Sequence, residues 1–192
     1  MAFFEYQRLV TAYHGCDQSL VDSALRGIPL NESRNDYDWL GRGIYFWENG
    51  PARAMDWAKE VAKRKKTRIA KPSKIGALIQ LGNCFDLLDL RFTRYLKTLW
   101  PEFEKAMVAS GAALPKNTPY LHRLDCAFID WAIPRVESIS SSKFHTVRGV
   151  FLEGTPIYPT GYIFEKSHIQ IAVRDPASII GYFVPAGSLD VS

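Results

Sequence analysis

An α+β fold is predicted for this chain of 192 residues. Runs of β-branched and aromatic residues, each of strand length, lie towards both ends. Between them lie stretches with apolar residues at helical spacing, punctuated by capping residues, Gly and Pro. Composition adds a third observation: 47% apolar and 23% charged residues are ordinary for a globular domain, and the length suits a single domain with a proper core. No composition shift, internal repeat or low-complexity segment divides residues 1–192, so one domain is expected.

The elements follow in order. Val10-Thr11-Ala12-Tyr13-His14 reads as a first strand. Asp17 or Ser19 caps a helix to about Leu25, with Leu20, Val21, Ala24 and Leu25 on one face and Gly27 as its stop. Residues 28–39, rich in Asn, Asp, Ser and Pro, read as loop, and Gly43 to Trp47 as a second strand. Asn49-Gly50-Pro51 opens a helix, because a proline at its first position lacks only an N–H that the helix does not use. Ile75 to Leu81 is an apolar strand. Phe85 to Leu90 leads into a capped helix from Arg91 to Ser110, stopped by Gly111. A further helix spans Tyr120 to Ala132 and ends near Pro134. Thr146 to Leu152, His168 to Val173 and Ile179 to Val184 are late strands, with a Gly- and Pro-rich loop, Glu153 to Tyr162, after the first of them.

Charge narrows the partners. The net charge is +4 and the pI near 8.9, which favours acidic partners without requiring them. Lys59, Lys63, Arg64, Lys65, Lys66, Arg68, Lys71 and Lys74 crowd into one segment, read either as a solvated face or as a phosphate-facing patch. Cys16, Cys84 and Cys126 are widely spaced, show no zinc-type pairing with the histidines and read as reduced thiols. Cys16 beside His14 reads as a buried filler rather than a nucleophile. The N-terminal residues lack a signal-peptide pattern, no run has the length of a membrane span, and a cytoplasmic protein without membrane partners is expected. His122, His145 and His168 lack the spacing of a metal-binding helix, so no metal is expected. There is no phosphate loop of the G-x-x-x-x-G-K type and no nucleophile elbow.

One stretch carries the chemistry. Leu40-Gly41-Arg42-Gly43-Ile44-Tyr45-Phe46 reads as a tight turn feeding a strand, which rules out a doubly wound dinucleotide turn because no helix follows. Tyr13-His14-Gly15 stands about thirty residues upstream. Aromatics reach 13%, enough both to fill a core and to line a cleft for a flat ring.

Together with the late strand His168-Ile169-Gln170-Ile171-Ala172-Val173, these motifs resemble the ADP-ribosyltransferase superfamily. The resemblance is to its diphtheria-toxin and poly-ADP-ribose-polymerase type, marked by His, Tyr and Glu on three strands. Element order resembles that family over most of the chain, and motif identity covers about fifteen residues. The resemblance implies a split β-sheet sandwich with helices around it, and NAD as co-substrate. It implies that His14 hydrogen-bonds a ribose hydroxyl, that Gly15 offers its backbone to the carboxamide, and that Tyr45 stacks on nicotinamide. Gly43 shapes the same site. Trp57, one residue out of register with the family, is either a second stacking ring or a helix core residue.

Gln170 stands where most relatives carry Glu. Glu would favour the developing ribosyl cation by its charge, whereas Gln keeps a hydrogen bond and loses the charge. That points away from polymer formation. Glu153 and Glu165 are the alternative sources of a carboxylate. The resemblance therefore implies a mono-ADP-ribosyltransferase acting on a protein or nucleic acid acceptor, of the kind found as bacterial toxins in toxin–antitoxin or phage-defence systems, with an antitoxin as a partner. A non-catalytic NAD- or ADP-ribose-binding module and an NAD glycohydrolase are the alternatives.

Overall fold

The computed structural model describes residues 5–186. In chain order these form β1 (Glu5–Asp17), α1 (Gln18–Leu25), β2 (Ile44–Glu48), α2 (Pro51–Ala62), β3 (Pro72–Asp86), α3 (Leu90–Ala109), α4 (Arg123–Ser140), β4 (Thr146–Phe151), β5 (His168–Val173), a 3-10 turn (Pro176–Ser178) and β6 (Ile179–Phe183). The fold is mixed α and β. Its six-stranded sheet has the order β1-β2-β5-β4-β3-β6, and β1 also pairs with β3, so five of the strands close into a ring. Pairing is antiparallel except between β3 and β4.

Every expected strand and helix is present, but three extents differ. β1 and β3 are long strands that pair without interruption from Leu9–Gln80 to Asp17–Pro72. Backbone pairing continues through Gly15, Ser73, Lys74 and Gly76, which interrupt the apolar pattern a sequence reading depends on. Gly76 is small for a reason: the Phe183 ring of β6 lies where its side chain would stand. Phe85 belongs to the end of β3, paired with Val147 of β4, rather than to the approach of α3. α4 starts later than expected and runs past Pro134 to Ser140. Pro134 cannot donate a hydrogen bond back to the preceding turn. Ile133 and Val136 are nonetheless fully buried against Phe85, Phe144 and Val147, and that packing carries the helix through.

Caps explain the other helix ends. Asp17 accepts from Ser19 N–H at 3.0 Å to start α1, and its second oxygen takes Ala70 and Lys71 N–H at 2.8 Å each. These bonds, led by that of Lys71, hold its carboxyl well below the ordinary range. α3 starts on Asp89 in the same way, at 2.9 Å from Arg91 N–H. Two apolar cores result. One joins α1 to β1 and β3 through Val21, Ala24, Ile75 and Ile79, and the other joins α3 and α4 to the far end of the sheet.

A buried ionic group ties three strands together. Arg148 of β4 holds Glu48 of β2 at 2.6 Å and Asp86 of β3 at 3.0 Å, with all three side chains less than 10% exposed. Arg8 reaches the same Glu48 at 3.1 Å. Removing one member would strand a buried charge, which typically costs about 3–5 kcal/mol.

Candidate active site

The site opens where two strands part. β1 and β2 pair only at Ala12–Glu48 and Tyr13–Trp47. Asn49 N–H donates to the Thr11 carbonyl at 3.0 Å, whereas Gln18 N–H, just past the end of β1, donates on the opposite side to the Lys71 carbonyl at 2.9 Å. Peptide groups alternate in direction along a strand, so Thr11, Tyr13 and Gly15 all face β2. The next hydrogen-bonded pair in register would be Gly15 with Tyr45, and it is absent from the ladder. Instead the Tyr45 carbonyl accepts from Nδ1 of His14 at 2.7 Å. The imidazole thus stands in for a backbone donor, and the peptide edge of Gly15 is left facing the gap.

That bond settles the histidine's chemistry. A carbonyl can only accept, so Nδ1 carries the proton. Burial depresses the His14 pKa, against a smaller opposing effect of the Tyr45 bond. A neutral ring with its proton on Nδ1 has a bare Nε2, an acceptor for a hydroxyl.

A cleft of about 510 Å³ lies at this gap, and His14, Gly43, Tyr45, Trp57 and Gln170 all line it. Gly15 does not line it. A side chain there would collide with the Ala54 carbonyl oxygen and press on the Trp57 ring, so Gly15 admits α2 against β1. Trp57 is half-buried with its ring 5.8 Å from that of Trp47, so it packs on the protein and faces the cleft at once. Tyr45 is anchored at both ends. Its ring packs on the second core, and its hydroxyl accepts from Leu40 N–H at 2.8 Å and donates to the Gly41 carbonyl at 2.5 Å. Burial raises its pKa well above the ordinary value, so it stays protonated.

The turn before Tyr45 is clamped from α4. Asp130 accepts from Arg42 N–H at 3.1 and 3.2 Å and from Arg174 at 3.2 Å. Gly41 has φ +73° and would meet Asp130 with any side chain, so glycine is required there.

Gln170 on β5 is 8% exposed, sits opposite Trp47 of β2, and its Oε1 is buried without a hydrogen-bond partner. Of the two alternative acids, Glu153 lines the cleft and Glu165 does not. Glu153 is already committed: Arg53 holds both its oxygens, at 2.8 and 2.7 Å, with little of either side chain exposed. Glu165 accepts from Thr155 N–H at 3.3 Å in an exposed loop.

Some cleft residues escaped the sequence reading. Asp38 lines the cleft with its Oδ2 buried and unpartnered, and burial raises its pKa. Arg53 lines it too, its guanidinium 5.4 Å from the Trp47 ring centre. The partner of Arg53, Glu153, lies 100 residues away, and no motif in the sequence marks either Asp38 or Arg53. The thiols are not reactive groups: burial pushes Cys16 and Cys84 up to about 12 and Cys126 up to about 11. No helix among the described residues is long and apolar enough to cross a membrane. No protein-family model matches the chain, and no curated protein matches it in sequence.

Proposed function

We propose that this chain is an NAD-dependent mono-ADP-ribosyltransferase of the type its motifs resemble, with the ring of strands parted between β1 and β2 as its split sandwich. The observation that carries the reading is the His14–Tyr45 bond across the open ladder. It leaves an acceptor nitrogen on His14 beside the Tyr45 ring, both lining a cleft whose volume falls in the usual range of small-molecule sites, about 300–1,000 Å³, with the Gly15 peptide edge facing the gap next to it.

In this reading His14 Nε2 accepts from a ribose hydroxyl of NAD. Gly15 N–H and C=O pair with the carboxamide, and Tyr45 and Trp57 bracket the nicotinamide ring. The C–N bond between ribose and nicotinamide breaks, and its electron pair stays with the ring nitrogen. The anomeric carbon gains positive charge as this happens. The neutral amide of Gln170 holds a ribose hydroxyl, which suits a single transfer. An acceptor nucleophile then bonds the anomeric carbon and releases its proton. The acceptor is a macromolecule, protein or nucleic acid. Acting inside a cell as a toxin or defence effector, such an enzyme is expected to arrest growth, with relief by His14→Ala.

The missing carboxylate at position 170 favours a second reading, a module that binds NAD or ADP-ribose without cleaving it. NAD labelled in its adenosine half separates the cases. Label on a macromolecule supports transfer, and free labelled ADP-ribose alone supports a glycohydrolase. NAD bound but intact supports the binding module and overturns both enzymatic readings.

A further inference from the structure

We propose that the acceptor is a single-stranded nucleic acid, seated across the mouth of the cleft between the basic segment after α2 and the hairpin between β4 and β5. This rests on the transferase reading above and names the substrate class of the same site.

The two surfaces are physically joined. Residues 153–166 form a hairpin: Lys166 N–H donates to Glu153, Glu165 N–H to Thr155 and Ile157 N–H to Ile163, each at 3.0 Å. Lys166 at its base pairs with Glu60 of α2 at 2.7 Å, and Glu153 at its base is held by Arg53 of α2. The hairpin therefore stands on the helix whose end runs into the basic segment. Arg64 from that segment and Tyr120 from the loop before α4 both line the cleft with Glu153, so one continuous rim carries all three.

Charge decides what the rim fits. Of the eight cations from Lys59 to Lys74, all but Lys74 are exposed. The sole acid in that stretch is Glu60, already bonded to Lys166. The hairpin from Thr155 to Phe164 has no charged residue, yet it exposes Tyr158 and Tyr162, the latter 88% accessible, and Tyr120 is 79% accessible on the same rim. Cations that track a backbone, beside rings free to stack, make a surface for unpaired nucleotides. In a duplex the bases are stacked inside and offer those rings no face. Transfer forms a bond from a nitrogen or oxygen of the nucleotide to the anomeric carbon as the bond to nicotinamide breaks. The nucleotide's proton passes to solvent, and nothing is oxidised or reduced.

Fluorescence anisotropy of the full chain with a fluorescein-labelled oligouridine of about twenty nucleotides tests this, paired with transfer of labelled ADP-ribose to the same strand. The single strand is expected to bind, at least tenfold more tightly than a duplex of equal length, with affinity falling as salt rises. The combined Lys63→Glu, Lys65→Glu and Lys66→Glu variant is expected to lose at least tenfold, and Tyr162→Ala about fivefold or more. All four positions are exposed, so the variants fold, and NAD hydrolysis without acceptor is expected to stay at the wild-type rate. NAD turnover with no strand binding, with binding indifferent to these variants, or with label on protein alone overturns the inference and leaves the transferase reading standing. Strand binding with NAD left intact overturns the transferase reading and the acceptor role with it.

Discussion

Nδ1 of His14 donates to the carbonyl of Tyr45 at 2.7 Å, so a side chain of β1 closes the bond that the two parted strands leave open. Both residues line the cleft. His14→Gln is expected to weaken NAD binding at least tenfold and to lower stability by about 1 kcal/mol, the usual worth of one hydrogen bond. Calorimetric titration with NAD and a thermal melt check the two effects separately.

Tyr45 shows why the choice of substitution matters. Tyr45→Ala, the direct deletion of the ring proposed to stack on nicotinamide, also empties a core position and unpairs Leu40 N–H, at an expected cost of about 3–5 kcal/mol. It therefore damages the fold as well as the site. Tyr45→Phe keeps the ring and loses only the hydroxyl's bonds. It is expected to lower stability by about 1–3 kcal/mol and to hold NAD turnover within a few-fold of wild type. Urea unfolding beside a turnover assay measures both.

Gly15→Ala places a methyl group against the Ala54 carbonyl and the Trp57 ring. α2 must shift away from β1, so a loss of more than about 2 kcal/mol is expected together with loss of turnover. Equal stability in urea would show that α2 accommodates the methyl group.

Gln170→Glu restores the acid found in most of the resembled family. Turnover is expected to be preserved or raised. Burial at this position lifts the new carboxyl's pKa, so the gain is expected to fade as pH falls and the carboxylate protonates. A rate-against-pH profile of both forms shows it. A large loss at every pH would assign Gln170 to the acceptor instead.

His14 and His168 both have pKa values lowered chiefly by burial from the ordinary 6.5. A lowered folded value means that the unfolded chain binds protons first as pH falls. Stability is therefore unaffected by these groups above about pH 6.5. It is lost below that, at up to about 1.4 kcal/mol per pH unit for each histidine, until the folded values are passed. Melting temperatures from pH 7.5 to 5 are expected to fall, and to fall less in His168→Gln. Comparing the two proteins cancels the carboxylates common to both.

Local signals marked most of the elements. Asp17, one of the two caps read for α1, and Gly50-Pro51 placed two helix starts, and β5 was read at its observed bounds. Strand length was not legible in β1 and β3, because their pairing tolerates Gly76 and Lys74 where an apolar pattern does not. Pro134 concealed the last turns of α4, since only the distant packing of Ile133 and Val136 overrides it. The motifs placed His14, Tyr45, Trp57 and Gln170 in a common site, and all four line one cleft. The clamps around them were not legible. Arg53 meets Glu153 across 100 residues and Arg42 meets Asp130 across 88, and a single sequence carries no trace of such pairs.

The most direct measurement is chromatographic detection of nicotinamide released from NAD by the purified chain, beside His14→Gln confirmed as folded. Release by the wild type, reduced at least a hundredfold in the variant, is the predicted result. Intact NAD with the wild type, or equal release by both proteins, would contradict the assignment of this cleft to NAD cleavage.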